Sequence, residues 1–299
     1  MNEVKNNKIY LSLAKVSSWT GLSRIFGLIR DVVTTNLLGA SVFHDIFVVT
    51  LKIPNLFRRF FAEGAFNQAF IPIYSDYQKG NDEKNTQEFI NSLAGSFLSI
   101  LFLFTILVLL ITPIFIFIFA PGFYYDDSKR IIAIDLLRIM FPYLALISLV
   151  SFASGIQNTH EKFSIPAFTP LIFNITLIVA AIFIAPIINL PVYALAWGVL
   201  IAGFLQLLIH IYALKNINRL PTPKINFSHP GQINVLKLMI PAILAGGIVQ
   251  INLLIDTIFA SLLQTGSPTW LYVSDRLIQF PMGIFAIAIG TILLPTLSK

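Results

Sequence analysis

Residues 90–119, INSLAGSFLSILFLFTILVLLITPIFIFIF, contain no charged side chain. A run of this length and apolarity has one stable setting, the interior of a lipid bilayer, which about 20 residues of helix can cross. Inside lipid the backbone must satisfy its own hydrogen bonds, so the segment folds as a helix. The pattern recurs along the chain and predicts eight spans, at 9–38, 43–70, 90–119, 131–156, 165–186, 191–214, 233–263 and 269–297. The second is the least hydrophobic. Only the connections 71–89 and 215–232 are long, which leaves no room for a soluble domain. Charged residues make up 11% of the 299, against about 25% in soluble domains. The expected fold class is an all-α, polytopic transmembrane helical bundle.

Several chemistries are disfavoured at once. With no cysteine there are no disulfides or thiolate metal sites, and four scattered histidines lack ligand spacing. No phosphate-binding glycine loop, nucleophile elbow or zinc motif occurs. The pair Asp126–Asp127 falls in a short outer loop, the wrong side for a metal-dependent transferase using cytoplasmic sugar nucleotides. The chain is expected not to be an enzyme and to need no cofactor. Its net charge of +6 is spread over short loops rather than gathered into a nucleic-acid patch. Lys5, Lys8, Lys15, Lys79, Lys84, Lys162, Lys215, Arg219, Lys224 and Lys237 fall on one side of the spans, and only Lys129 and Arg130 on the other. The positive-inside rule then puts the N-terminus in the cytoplasm. No cleavable signal peptide is expected, because the first apolar segment is too long and lacks a small-residue cleavage site.

An internal echo suggests repeated halves. NLLGA at Asn36 matches SLLQT at Ser261, Pro54 matches Pro281, and FIPIYS around Pro72 matches LLPTLS around Pro295, at offsets of 225, 227 and 223 residues. Spans one and two would then recur as spans seven and eight, as in transporters built from repeats. This divides the chain into a six-helix lobe, 1–220, and the first two helices of a second lobe, 221–299.

The charges inside spans one and two are the strongest functional signal. In span one, Ser17, Thr20, Gly21, Arg24, Gly27, Asp31, Thr34 and Thr35 recur at steps of three and four, with Arg30 at the edge of that stripe. In span two, Asp45, Lys52 and Arg59 are spaced by sevens, Asn55 and Glu63 share their side, and Arg58 lies about 100° away. Pro54 should bend this helix. Each centrally placed charge costs about 2.5–3.5 kcal/mol, so these groups must be paired or hydrated. Arg59 and Glu63, four apart, can pair. Arg30 and Asp31 are sequence neighbours and are not expected to face each other. The basic excess, with the Asp275–Arg276 doublet of span eight, describes an anion site, since a guanidinium fork binds two phosphate oxygens at once. For Lys52 and Arg59 the simpler reading is snorkelling to an interface. Asp256, beside Asn252 in span seven, is either half of a cation site or a helix contact.

The segments SSWTGLSRIFGLIRD, KIPNLFRRFFAEGAFNQAFIPIYSDY, FPYLALISL, FSIPAFTPLIFNI, LPVYALAWGVLIAGFLQL and SDRLIQFPMGIFAIAIGTILLPTLSK together resemble the MurJ (MviN) family of lipid II flippases, from about Lys15 to Lys299. The resemblance implies a multi-pass protein of the bacterial inner membrane, of the multidrug/oligosaccharidyl-lipid/polysaccharide exporter type. Such proteins move the undecaprenyl-diphosphate-linked peptidoglycan precursor to the outer leaflet by alternating access. Two six-helix lobes flank a central cationic cavity, and two further helices form a lipid-tail groove. It also implies that Arg24, Arg30, Arg58 and Arg276 bind the diphosphate headgroup. Asp31, Asp45, Arg59, Glu63 and Asp275 would support or gate that site, and Asp256 would be a candidate cation site with Na+ as coupling ion. The face pattern alone prefers Arg59 to Arg58. Implied partners are lipid II, membrane lipids and other cell-wall synthesis proteins. Family members have about fourteen spans, so this chain is expected to be a fragment, or to be completed by a second chain. Two other readings compete: a flippase for another polyprenyl-diphosphate glycan, and a membrane scaffold that transports nothing.

Overall fold

The computed structural model describes residues 2–59, 64–80 and 82–278. Among these every regular element is helical: α1 (Asn2–Leu38), α2 (Val42–Arg58), α3 (Ala65–Lys79), α4 (Glu83–Leu110), α5 (Thr112–Phe119), α6 (Pro121–Tyr124), α7 (Asp127–Met140), α8 (Tyr143–Thr159), α9 (Ser164–Val179), α10 (Pro191–Asn216), α11 (Pro230–Leu262) and α12 (267–278). By length and apolarity, Glu83–Leu110, Asp127–Thr159, Ser164–Ile187 and Pro191–Asn216 can each cross a membrane. A fifth candidate is α11, bent by 51° between Ala245 and Gln250 at the Gly246–Gly247 pair, a usual cause of a sharp kink. Large apolar side chains such as Leu103, Leu110, Phe183 and Ile187 lie exposed on these helices, as lipid-facing surfaces require. This is a multi-pass helical membrane protein. The charged helices α1 and α2 pack against the apolar ones, α1 along α9 and α2 along α7 and α8.

Local sequence explains the helix ends. α1 stops at Gly39, whose φ of 62° is open to glycine at low cost, and the Gly39 N–H closes on the Thr35 carbonyl. Ser41 caps α2 by accepting from the His44 N–H. The predicted third span bends at Ile111, where Pro113 restarts the chain as α5. Asp126 caps α7, accepting from the Ser128 and Lys129 N–H groups and from the Ser128 hydroxyl. These bonds, the Ser128 hydroxyl first, hold its carboxyl down at about 2. The capping contribution is therefore fully present above about pH 4 and is lost as pH falls towards 2. Amide-exchange protection at Ser128 and Lys129 should fall across that window, and Asp126→Asn should remove the pH dependence.

The predicted second span, 43–70, and the connection 71–89 are revised. α3 is a separate helix that continues to Lys79, and α4 begins at Glu83. It is amphipathic, with Phe66, Phe70 and Tyr74 buried in an aromatic cluster with Phe89, Phe97 and Phe152. Its polar face is what made 71–79 read as a loop. The segment after α10 lies across α4: Asn91 accepts from the Thr222 N–H through its side chain and from the Lys224 N–H through its carbonyl. A Cβ on Gly95 would sit 2.2 Å from the Lys224 carbonyl oxygen, so only glycine admits this crossing.

Candidate functional site

The polar face of α1 carries Ser23, Arg24, Gly27, Arg30 and Asp31 at helical steps, while Ile25, Ile29 and Val32 on its other sides are exposed. That polar face forms one wall of a cavity of about 700 Å³. α2 contributes Lys52, Asn55 and Arg58, α8 Ser151 and Ser154, α9 Thr169 and Asn174, α10 Gln206, and α12 Tyr272 and Arg276. Among the described lining residues five are basic (Arg24, Arg30, Lys52, Arg58 and Arg276) and one, Asp31, is acidic.

The acidic group organises the basic ones. Asp31 Oδ1 accepts from Arg30 Nε and Nη2 at 3.0 and 2.6 Å and from the Tyr272 hydroxyl at 2.6 Å. Its Oδ2 lies 3.3 Å from Arg276 Nε. The expectation that Arg30 and Asp31 do not face each other is thus corrected. The arginine stem is long enough to curl back along its own helix, and burial of both groups favours the pair. Arg30 Nη1 donates to Asn174 Oδ1 at 2.9 Å, and Asn174 Nδ2 donates to the Ser23 carbonyl at 2.9 Å. The Arg30 guanidinium also stands 5.7 Å over the Phe173 ring. All three of its nitrogens are engaged, so Arg30 is held rigidly at the cavity edge. One cluster therefore joins α1, α9 and α12.

A second junction lies at the start of α2. Asp45, 2% exposed, accepts from the Gly266 N–H at 2.6 Å, the Thr269 N–H at 3.0 Å and the Thr269 hydroxyl at 2.6 Å. It supplies the cap of α12 from another helix and does not line the cavity.

The remaining predicted residues separate. Arg58 lines the cavity and Arg59 is exposed outside it, so α2 presents the residue three after Asn55 rather than the one seven after Lys52. Lys52 also lines the cavity, and the acidic groups acting on it are Asp275 and Asp256. Neither of those two lines the cavity, and Asp256 is exposed on α11. Glu63, and with it the Arg59–Glu63 pair, lies outside the described residues, as do Pro281 and Pro295 of the internal echo. The sequence pattern overlooked Tyr272 and Asn174. A lone amide in the apolar run of α9, and a tyrosine four residues before Arg276 on one helix face, were the available signals.

Fold and site define a class: an all-helical, multi-pass membrane protein with a half-open cavity among whose lining residues basic side chains outnumber acidic ones. Residues 34–299 match the family described as lipid II flippase MurJ. The chain is 44% identical over 287 residues to the probable lipid II flippase MurJ of Buchnera aphidicola subsp. Acyrthosiphon pisum, covering 96% of this chain and 56% of that one. With that of Haemophilus influenzae the identity is 42% over 287 residues, covering 94% and 56%. A solved structure described as lipid II flippase MurJ in an inward closed conformation aligns with a TM-score of 0.79 at 29% identity, over 93% of this chain and 57% of that one. The chain belongs to the lipid II flippase MurJ family. It spans about half the length of the curated relatives it matches.

Proposed function

We propose that this chain forms the headgroup-binding part of a lipid II flippase of the bacterial inner membrane, with its N-terminus in the cytoplasm. The observation that carries the reading is the five-to-one excess of basic over acidic side chains among the described residues lining a cavity between membrane helices. Arg24, Arg58 and Arg276, with Lys52, attract the diphosphate of the lipid-linked precursor, and guanidinium forks hold its oxygens in pairs. Arg30, fixed by Asp31 and Asn174, acts as a rigid wall charge. The polyprenyl tail stays in lipid and no covalent bond changes.

Residues 1–220 act as one lobe and 221–299 as the start of a second. Polar junctions tie α12 to the first lobe, Asp31 with Tyr272 and Arg276, and Asp45 with Gly266 and Thr269. Both bring the C-terminal part of α1 and the start of α2 against α12. Their release would open that end of the cavity, and their re-formation would close it. We assign no coupling ion to the exposed Asp256.

The test replaces the matching segment of the Haemophilus influenzae relative with this chain, in a bacterium depleted of its own flippase. Growth should be restored by the parent and lost with Arg24→Ala, Arg58→Ala or Arg276→Ala at equal membrane expression. Arg59→Ala should grow normally. Rescue by all four variants would favour the non-transporting scaffold.

A further inference from the structure

A second pocket, of about 400 Å³, lies at the end of the bundle that carries the N-terminal part of α1. It forms where Lys15 of α1 meets the α8–α9 turn and the C-terminal end of α10. We propose that it holds the headgroup of a membrane phospholipid that carries a hydrogen-bond donor beyond its phosphate, the chemistry of phosphatidylglycerol and phosphatidylethanolamine.

Three independent features converge there. α9 begins at Ser164 with Phe163 as its N-cap and no side-chain capping bond. Phe163, Ser164 and Ile165 all line the pocket, so the positive end of a 16-residue helix opens into it. Lys15 and Lys162 line the same space. Together they give this pocket a positive wall, which suits an anionic oxygen.

The third feature selects a particular kind of anion. Gln157 also lines the pocket and is 1% exposed. Its Nε2 is bonded to His210 Nδ1 at 2.7 Å and to the Ala153 carbonyl at 3.3 Å. Its Oε1 is buried and accepts from no protein group. A buried acceptor left unpaired is costly, and a ligand O–H or N–H removes that penalty. Inorganic phosphate has no donor arm that reaches past the phosphate. A glycerol hydroxyl or an ethanolamine ammonium does, and Glu161 on the pocket wall favours the second. The apolar side chains of Phe163, Ile165 and Ile217 line the rest, suited to the first methylenes of a lipid.

This site is separate from the central cavity. Between them stands a buried relay in which His210 bonds Gln157 on one side and Thr169, at 2.7 Å, on the other. Only Thr169 lines the central cavity, and only Gln157 lines the second pocket.

The experiment is native mass spectrometry of the purified 299-residue chain with phosphatidylglycerol, phosphatidylethanolamine or phosphatidylcholine at equal molar excess. Phosphatidylcholine has the phosphate but a trimethylated, donorless head. The first two lipids should be retained about tenfold more than the third, the factor expected when a bond is made to an otherwise unsatisfied buried acceptor. Lys15→Ala/Lys162→Ala should lower retention of all three lipids, which have the phosphate in common, and Lys15→Arg/Lys162→Arg should keep it. Gln157→Leu should lower retention of the donor-bearing lipids to that of phosphatidylcholine. Arg59→Ala, outside both pockets, should leave retention unchanged; growth rescue reads the central cavity and lipid retention reads this pocket, so this proposal and the flippase reading fail separately. Equal retention of all three lipids, or a double alanine variant that behaves as the parent while eluting as a folded protein, overturns the proposal. So does displacement of the lipid by an equal concentration of glycerol 3-phosphate, which would mark a site for soluble phosphate esters.

Discussion

Replacing Asp31 with alanine is expected to destabilise the protein by about 3 kcal/mol, the low end of what breaking a buried ion pair costs. The loss is more than that of one bond. Asp31 accepts from Arg30 and Tyr272 and pairs with Arg276. Without it, Arg30, 8% exposed, keeps only Asn174 and Tyr272 as hydrogen-bond partners. Proximity of Arg30 to the cavity, where water enters, keeps the figure from the upper end. Thermal unfolding in detergent, followed by tryptophan fluorescence, should show a lower midpoint for Asp31→Ala and a smaller drop for Asp31→Asn. The double variant Asp31→Ala/Arg30→Met should recover much of the loss, because it removes the uncompensated charge. A double variant no more stable than Asp31→Ala would argue that the cluster stabilises through Tyr272 and Arg276 instead.

Asp45→Ala is expected to cost about 2–3 kcal/mol by a different route. Loss of a helix cap alone costs about 1 kcal/mol, and the substitution also strands the buried donors on Gly266 and Thr269. The effect should be local. Hydrogen exchange should accelerate at the amides of 266–270, where α12 starts, and leave α4 and α10 unchanged. Asp45→Asn keeps one acceptor and should fall between parent and alanine. Acceleration spread evenly over the bundle would show that this junction carries global rather than local stability.

Both residues show how far a one-dimensional pattern reaches. The helical steps in α1 placed Arg24, Gly27 and Asp31 on the face that lines the cavity, because a rigid helix repeats its geometry. The same reasoning on α2 preferred Arg59 to Arg58, since it counted sevens from Asp45 and Lys52, whereas the cavity takes the residue three after Asn55. It also set Arg30 and Asp31 apart, since it measured Cβ directions and ignored the reach of an arginine stem. Tyr272 and Asn174 were overlooked because their hydrogen-bond partners on α1 lie about 240 and 150 positions away.

What the sequence determined by itself is the setting: an all-helical membrane protein, with most of its spans, and an inward-facing basic excess in its first two helices. These follow from the cost of exposing backbone or charge to hydrocarbon, which every residue meets locally. Only the tertiary structure decided which charges neutralise one another, that α3 is a helix of its own, and that Asp45 caps a helix far along the chain. Those outcomes depend on which side chains the folded bundle brings within about 3 Å, the range of a hydrogen bond, and that distance is set by packing between helices rather than by spacing within one.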